Sequence, residues 1–131
     1  MGKNKIKTAL FGLGRIGQMH AHNLRKYSEF ELKYVFDLNK NLSNKISKKF
    51  NVISVNNPDI AFKDNEIKCI FIASSTSTHL KFIEEAVKNK KIVFCEKPLD
   101  LNLEKIEKCK RKIKKYNPKI QIGFNLSLIH I

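Results

Sequence analysis

Tryptophan is missing from this 131-residue chain, proline occurs three times and glycine five times. So little Gly and Pro excludes collagen-like and low-complexity classes, and a hydrophobic share of 42% argues against intrinsic disorder. Long apolar runs are missing too. The longest, Cys69-Ile70-Phe71-Ile72-Ala73, falls far short of the roughly 18 residues of a membrane span. Met1-Gly2-Lys3-Asn4-Lys5-Ile6 has neither the apolar stretch of a secretory signal nor the Ser or Thr that N-myristoylation wants at the sixth position. The expectation is a cytoplasmic chain with no membrane partner.

Cysteine is sparse and oddly numbered. Cys69, Cys95 and Cys109 form no C-x-x-C pair, and His20, His22, His79 and His130 show no ligand spacing, so reduced core thiols and no metal are expected. Arginine is rarer than the net charge of +14 suggests. Only three of the 26 basic residues are Arg, whereas nucleic-acid readers depend on Arg for bidentate contacts. Lys (23), Asn (13) and Ile (16) are all encoded mainly by A/T codons, which accounts for much of the charge. No specific nucleic-acid partner is expected.

What the chain does have is alternation. Short β-type apolar runs at 5–11, 31–36, 52–55, 69–73, 91–95 and 119–125 are separated by amphipathic segments, the pattern of βαβ units around a parallel sheet. Helices are expected at 15–26, 39–50 and 78–89. A last one, capped by Asp100 or Asn102, carries the stripe Leu103, Ile106, Cys109, Ile113 and Tyr116. Residues 60–67 read as one helical turn at most. The fold class is therefore α/β, a doubly wound parallel sheet of about six strands with helices on both faces, in one domain.

Gly12-Leu13-Gly14-Arg15-Ile16-Gly17 sits between the first strand and the first helix. Such a motif alone is weak. Here an acidic residue, Asp37, follows Gly17 by twenty positions at the end of the second strand, which completes a dinucleotide fingerprint. Gly12 allows the tight turn, Gly14 lets backbone approach a pyrophosphate, and Gly17 lets the helix pack closely. The helix start at Arg15 and Ile16 would face the phosphates, and Asp37 the adenosine ribose, favouring NAD over NADP. Lys40 is a counterweight, since it could neutralise a 2′-phosphate. Glu96-Lys97-Pro98 follows the fifth strand, and Ser74-Ser75-Thr76-Ser77-Thr78-His79 the fourth, both at the carboxyl edge where open α/β sheets bind ligands.

These motifs, with Met19-His20-Ala21 and Gly123-Phe124-Asn125, closely resemble the amino-terminal Rossmann domain of the glucose-fructose oxidoreductase / inositol dehydrogenase / MocA (Gfo/Idh/MocA) family, in wording most like inositol 2-dehydrogenases. The resemblance covers residues 5–125. It implies an NAD-dependent oxidoreductase acting on a sugar or cyclitol hydroxyl, with Lys97 as the catalytic residue near nicotinamide and substrate, often before a cis proline. It also implies cofactor contacts from Ser74, Ser75, Thr76, His79, Glu96, Lys97 and Asn125 beside those of the glycine loop. His20 and His22 are read as helix packing.

Residues 1–125 are thus expected to be the dinucleotide-binding domain. The tail 126–131, Leu-Ser-Leu-Ile-His-Ile, departs from the family where a substrate domain, with its dimerisation sheet, would begin. One permissible codon set for it, read two bases on, gives Phe-Ile-Asp-Pro-Tyr, close to the family's Phe-Asp-Pro, so a frame change is the expectation. The chain alone is then expected to be inactive, and homo-oligomers to form through that further domain. The alternative is a free-standing dinucleotide-binding module without catalysis.

Overall fold

In a computed structural model, which describes residues 5–123, strands β1 (Ile6–Phe11), β2 (Phe30–Phe36), β3 (Ile53–Ser54), β4 (Ile67–Ile72), β5 (Ile92–Cys95) and β6 (Ile120–Ile122) alternate with helices. The helices are α1 (Arg15–Lys26), α2 (Lys40–Phe50), α3 (Asp59–Lys63), α4 (Thr76–Lys88) and α5 (Leu103–Ile113), the last extended by a 3₁₀ turn at Lys114–Tyr116. Asn125 and the tail 126–131 lie outside the described residues, as does the outer end of the expected last strand.

All strand pairs are parallel, in the order β3-β2-β1-β4-β5-β6. That order reverses direction between β1 and β4, the signature of a doubly wound sheet. Period-two alternation divides the core between the two faces. Leu10, Leu32, Val35, Cys69 and Phe71 pack with Ala21 and Leu24 of α1 and Ile46 and Phe50 of α2. Ala9, Phe11, Tyr34, Phe36, Ile70 and Ile72 pack with residues of α3, α4 and α5 on the other side. There Phe11 meets Phe36, Phe62 and Phe82 edge-on, with ring centroids 5.7, 5.3 and 5.0 Å apart.

Several element ends differ from expectation for local reasons. α4 starts at Thr76, two residues before 78, because Ser75 with its extended backbone is the N-cap. β4 starts at Ile67, since the exposed Lys68 interrupts the apolar run without ending the strand. Residues expected as one helical turn form α3 from Asp59. Asn102, not Asp100, caps α5, accepting from the Lys105 amide at 3.2 Å, while Asp100 accepts from the Asn102 amide at 2.8 Å. The α5 stripe is shorter than its periodicity. Cys109 and Ile113 are buried, but Leu103 is 71% exposed and Tyr116 also reaches solvent, because the helix enters the core only around Cys109 and Ile113.

Candidate functional site

Backbone hydrogen bonds carry the strand register one step past the carboxyl ends of the strands. Gly12 N donates to Phe36 O at 2.9 Å, Ala73 N to Phe11 O at 2.7 Å, Glu96 N to Ile72 O at 3.0 Å and Gly123 N to Cys95 O at 3.0 Å. The loops after β1, β2, β4 and β5 therefore emerge side by side. The order reversal opens a crevice between the first and third of them.

The three glycines of the first loop differ in what requires them. Gly12 has φ +93°, and a Cβ there would collide with the backbone of Ala73 and Ser74. A Cβ on Gly17 would run into the Gly12 carbonyl, so this residue sets how closely α1 approaches the loop. At Gly14 a Cβ would meet nothing within 4 Å. Gly14 is the N-cap of α1 and has no side chain with which to cap it, and no acidic residue occupies the first turn. The fold needs the outer two glycines. The middle one leaves open space in front of a helix start that no side chain caps.

Asp37, just after β2, is held by two backbone amides: Oδ2 accepts from Leu13 N at 2.7 Å and Oδ1 from Asn39 N at 2.8 Å. Beside it lies a cleft of about 670 Å³ that Gly12, Asp37, Ser74 and Ser75 line together. Asn56, Asn57 and Lys81 line it as well, and sequence reasoning had not singled them out. The available signal was position, because 56 and 57 follow β3 at the same sheet edge. Phe36 and Phe82 of the aromatic cluster form part of the wall, which stiffens it. Gly14, Arg15, Ile16 and Gly17 belong to the adjoining loop and first turn of α1, and Thr76 opens α4.

Glu96 and Lys97 stand further along the edge, beyond that cleft. Lys97 is exposed, its peptide bond to Pro98 is cis, and its aliphatic stem runs past Gly123. Ser74 Oγ lies 2.6 Å from Thr78 Oγ1, which also donates to Ser75 O at 2.6 Å, so the serine loop is tied to the start of α4.

Two buried histidines lie close to this region. His79, expected to touch cofactor, is buried, with Nδ1 2.8 Å from Pro98 O and Nε2 2.9 Å from Ser74 O. Both ring nitrogens lie within hydrogen-bond distance of main-chain carbonyls, one in each of two loops. His20, expected only to pack, does lie buried beside Phe71, but its Nε2 is also 2.7 Å from Glu96 Oε2. The two residues are 76 apart in sequence, which no spacing rule reaches. His22 packs its ring edge-on to Phe50 at 5.0 Å.

The cysteines are all free and buried. Burial pushes the Cys69 thiol up to about 11, burial and then the Glu96 charge push Cys95 up to about 12, and Cys109 is raised as well, so none is a thiolate nucleophile. Among the described residues no cluster of three or more His, Cys, Asp or Glu could hold a metal, and no helix is long and apolar enough to cross a membrane.

Against known proteins, the family described as oxidoreductase family, NAD-binding Rossmann fold (GFO_IDH_MocA) matches residues 6–124. The myo-inositol 2-dehydrogenase of Thermotoga maritima is 32% identical over 121 residues, covering 92% of this chain and 36% of the relative. The NAD(+)-linked scyllo-inositol 2-dehydrogenase of Bacillus subtilis is 32% identical over 124 residues, covering 93% and 36%. Among solved structures, a myo-inositol dehydrogenase from Corynebacterium glutamicum superposes with TM-score 0.85 at 35% identity, over 91% of this chain and 36% of its own. The chain thus spans about 36% of the length of these relatives.

Proposed function

The chain belongs to the Gfo/Idh/MocA oxidoreductase family as its NAD-binding Rossmann domain, and from that premise we propose that it holds NAD(H) along the carboxyl edge of the sheet, in preference to NADP(H). The observation that carries this reading is the open space at Gly14, a glycine that the fold itself does not require. The amides at Arg15 and Ile16 would take the pyrophosphate there. Asp37, fixed by the Leu13 and Asn39 amides, would accept from the ribose hydroxyls and repel a 2′-phosphate. The exposed Leu38 offers the adenine an apolar wall.

Ser74, Ser75 and Thr76 face the middle of the dinucleotide in this reading, and Glu96, Lys97 and Asn125 its nicotinamide end. When bound, the nicotinamide supplies the hydride acceptor or donor at C4. Lys97 would hold and polarise the hydroxyl of a sugar or cyclitol, the substrate class suggested by the inositol dehydrogenases among the relatives. Hydride transfer needs substrate held in reacting geometry, so the 131-residue chain alone is expected to bind cofactor without oxidising myo-inositol. Three buried, free thiols suit a reducing, cytoplasmic setting.

Titration with NAD⁺ and NADP⁺ tests the reading. The chain should bind NAD⁺ at least about tenfold more tightly, and Asp37→Ala should erase most of that difference. Equal affinities in the unmodified chain would remove the role given to Asp37.

A further inference from the structure

The short turn that presents Lys97 is gripped on both sides by buried imidazoles. The residue before it, Glu96, has its carboxylate 2.7 Å from His20 Nε2 on α1. The residue after it, Pro98, has its carbonyl 2.8 Å from His79 Nδ1 on α4. α1 and α4 pack on opposite faces of the sheet, so the grips come from two independent directions. His79 also reaches Ser74 O, at 2.9 Å, from its other ring nitrogen. Both of its partners are main-chain carbonyls, and the ring lies within hydrogen-bond distance of each. It thereby ties the turn after β5 to the serine loop after β4. Lys97 itself is exposed and makes none of these contacts, so its direction depends on the turn that carries it.

We propose that His20 and His79 are positioning residues for Lys97: together they fix the Glu96–Pro98 turn so that the nicotinamide half of the dinucleotide meets a preset surface. The inference rests on the NAD(H) reading above. It gives these buried histidines a task beyond filling space, since hydrophobic side chains of similar size would pack without holding a carboxylate or a carbonyl.

The test compares NADH with ADP-ribose, which lacks the nicotinamide ring, by calorimetric titration of the 131-residue chain. An asparagine amide nitrogen takes the place of Nδ1 and a glutamine amide nitrogen that of Nε2. His79→Asn therefore keeps the partner at Pro98, and His79→Gln keeps only that at Ser74. His79→Gln should weaken NADH about tenfold while ADP-ribose changes by less than about twofold, and His79→Asn should recover most of the NADH loss. His20→Leu keeps bulk but removes the donor to Glu96. It should show the same ligand-selective loss, which covers the case of a His79 variant that does not fold. Equal losses for both ligands, or no loss for either, would overturn the proposal. Failure of the unmodified chain to bind either ligand would instead overturn the NAD(H) reading, and the positioning role would fall with it.

Discussion

The two ends of the sheet use their polar groups in opposite ways. At the amino end Lys33 pairs with Asp64 at 2.7 Å and Glu66 at 3.1 Å, and Lys7 reaches Glu66 at 3.0 Å. Tyr34 donates to Asp64 at 2.7 Å, and the buried Lys91 donates to the carbonyls of Asp64 and Ile67 at 2.7 and 2.8 Å. The Lys33 ammonium, then the Tyr34 hydroxyl, hold the Asp64 carboxyl well below the usual carboxylate range; Asp64 and Glu66 in turn raise Lys33, while burial lowers Lys91. At the carboxyl end the sheet instead keeps a cleft, an uncapped helix start and a glycine with nothing around it. An edge whose charges bind one another contributes stability. The edge that leaves room is the one proposed to take the dinucleotide.

That contrast can be broken by substitution, and the largest effect should fall where the fold itself needs a glycine. Gly17→Ala drives a methyl into the Gly12 carbonyl and should cost about 3 kcal/mol or more, a fall of roughly 10 °C in thermal midpoint by calorimetry. Gly14→Val should do the reverse. Its midpoint should stay within about 2 °C of the parent while NADH affinity drops about 100-fold, since the methyls would occupy the open space proposed for the pyrophosphate. A large loss of stability at Gly14 would erase the distinction between the two glycines.

At the other end, Asp64→Asn should lower stability by about 1–2 kcal/mol in urea titration and leave NADH affinity unchanged. Because the folded-state value of Asp64 is depressed, its contribution is fully present above the ordinary value of 3.8 and is lost as pH falls through the lower folded value. Acid unfolding of the parent should therefore be steeper below that point than that of Asp64→Asn. The smallest effect is expected from His22→Ala, about 0.5–1 kcal/mol by the same titration, because the exposed ring gives up only its edge contact with Phe50.

Local pattern was a good guide wherever one face of an element is buried throughout. β1, α1 and β2 came within a residue of their expected ends, because their apolar positions and the intervening glycines are all local signals. The Asp37 position was legible for the same reason. Pattern misled at α5, where apolar residues three or four apart extend beyond the part of the helix that meets the core. It was blind to the His20–Glu96 contact, which exists only because β1, β4 and β5 lie side by side in the sheet. His79 was noticed for its place in a motif, but that place could not tell a buried link between loops from a side chain facing the cleft.

On the proposed reading, the backbone at the start of α1 receives the dinucleotide while the opposite edge of the sheet takes no part. An amide NMR titration of the labelled chain with NADH reads both ends at once. Saturable shifts at Gly14, Arg15 and Ile16, with Lys33 and Glu66 unmoved, are the predicted result. Amides at the glycine loop that stay fixed at millimolar NADH, or shifts centred on Lys33 and Glu66, would contradict it.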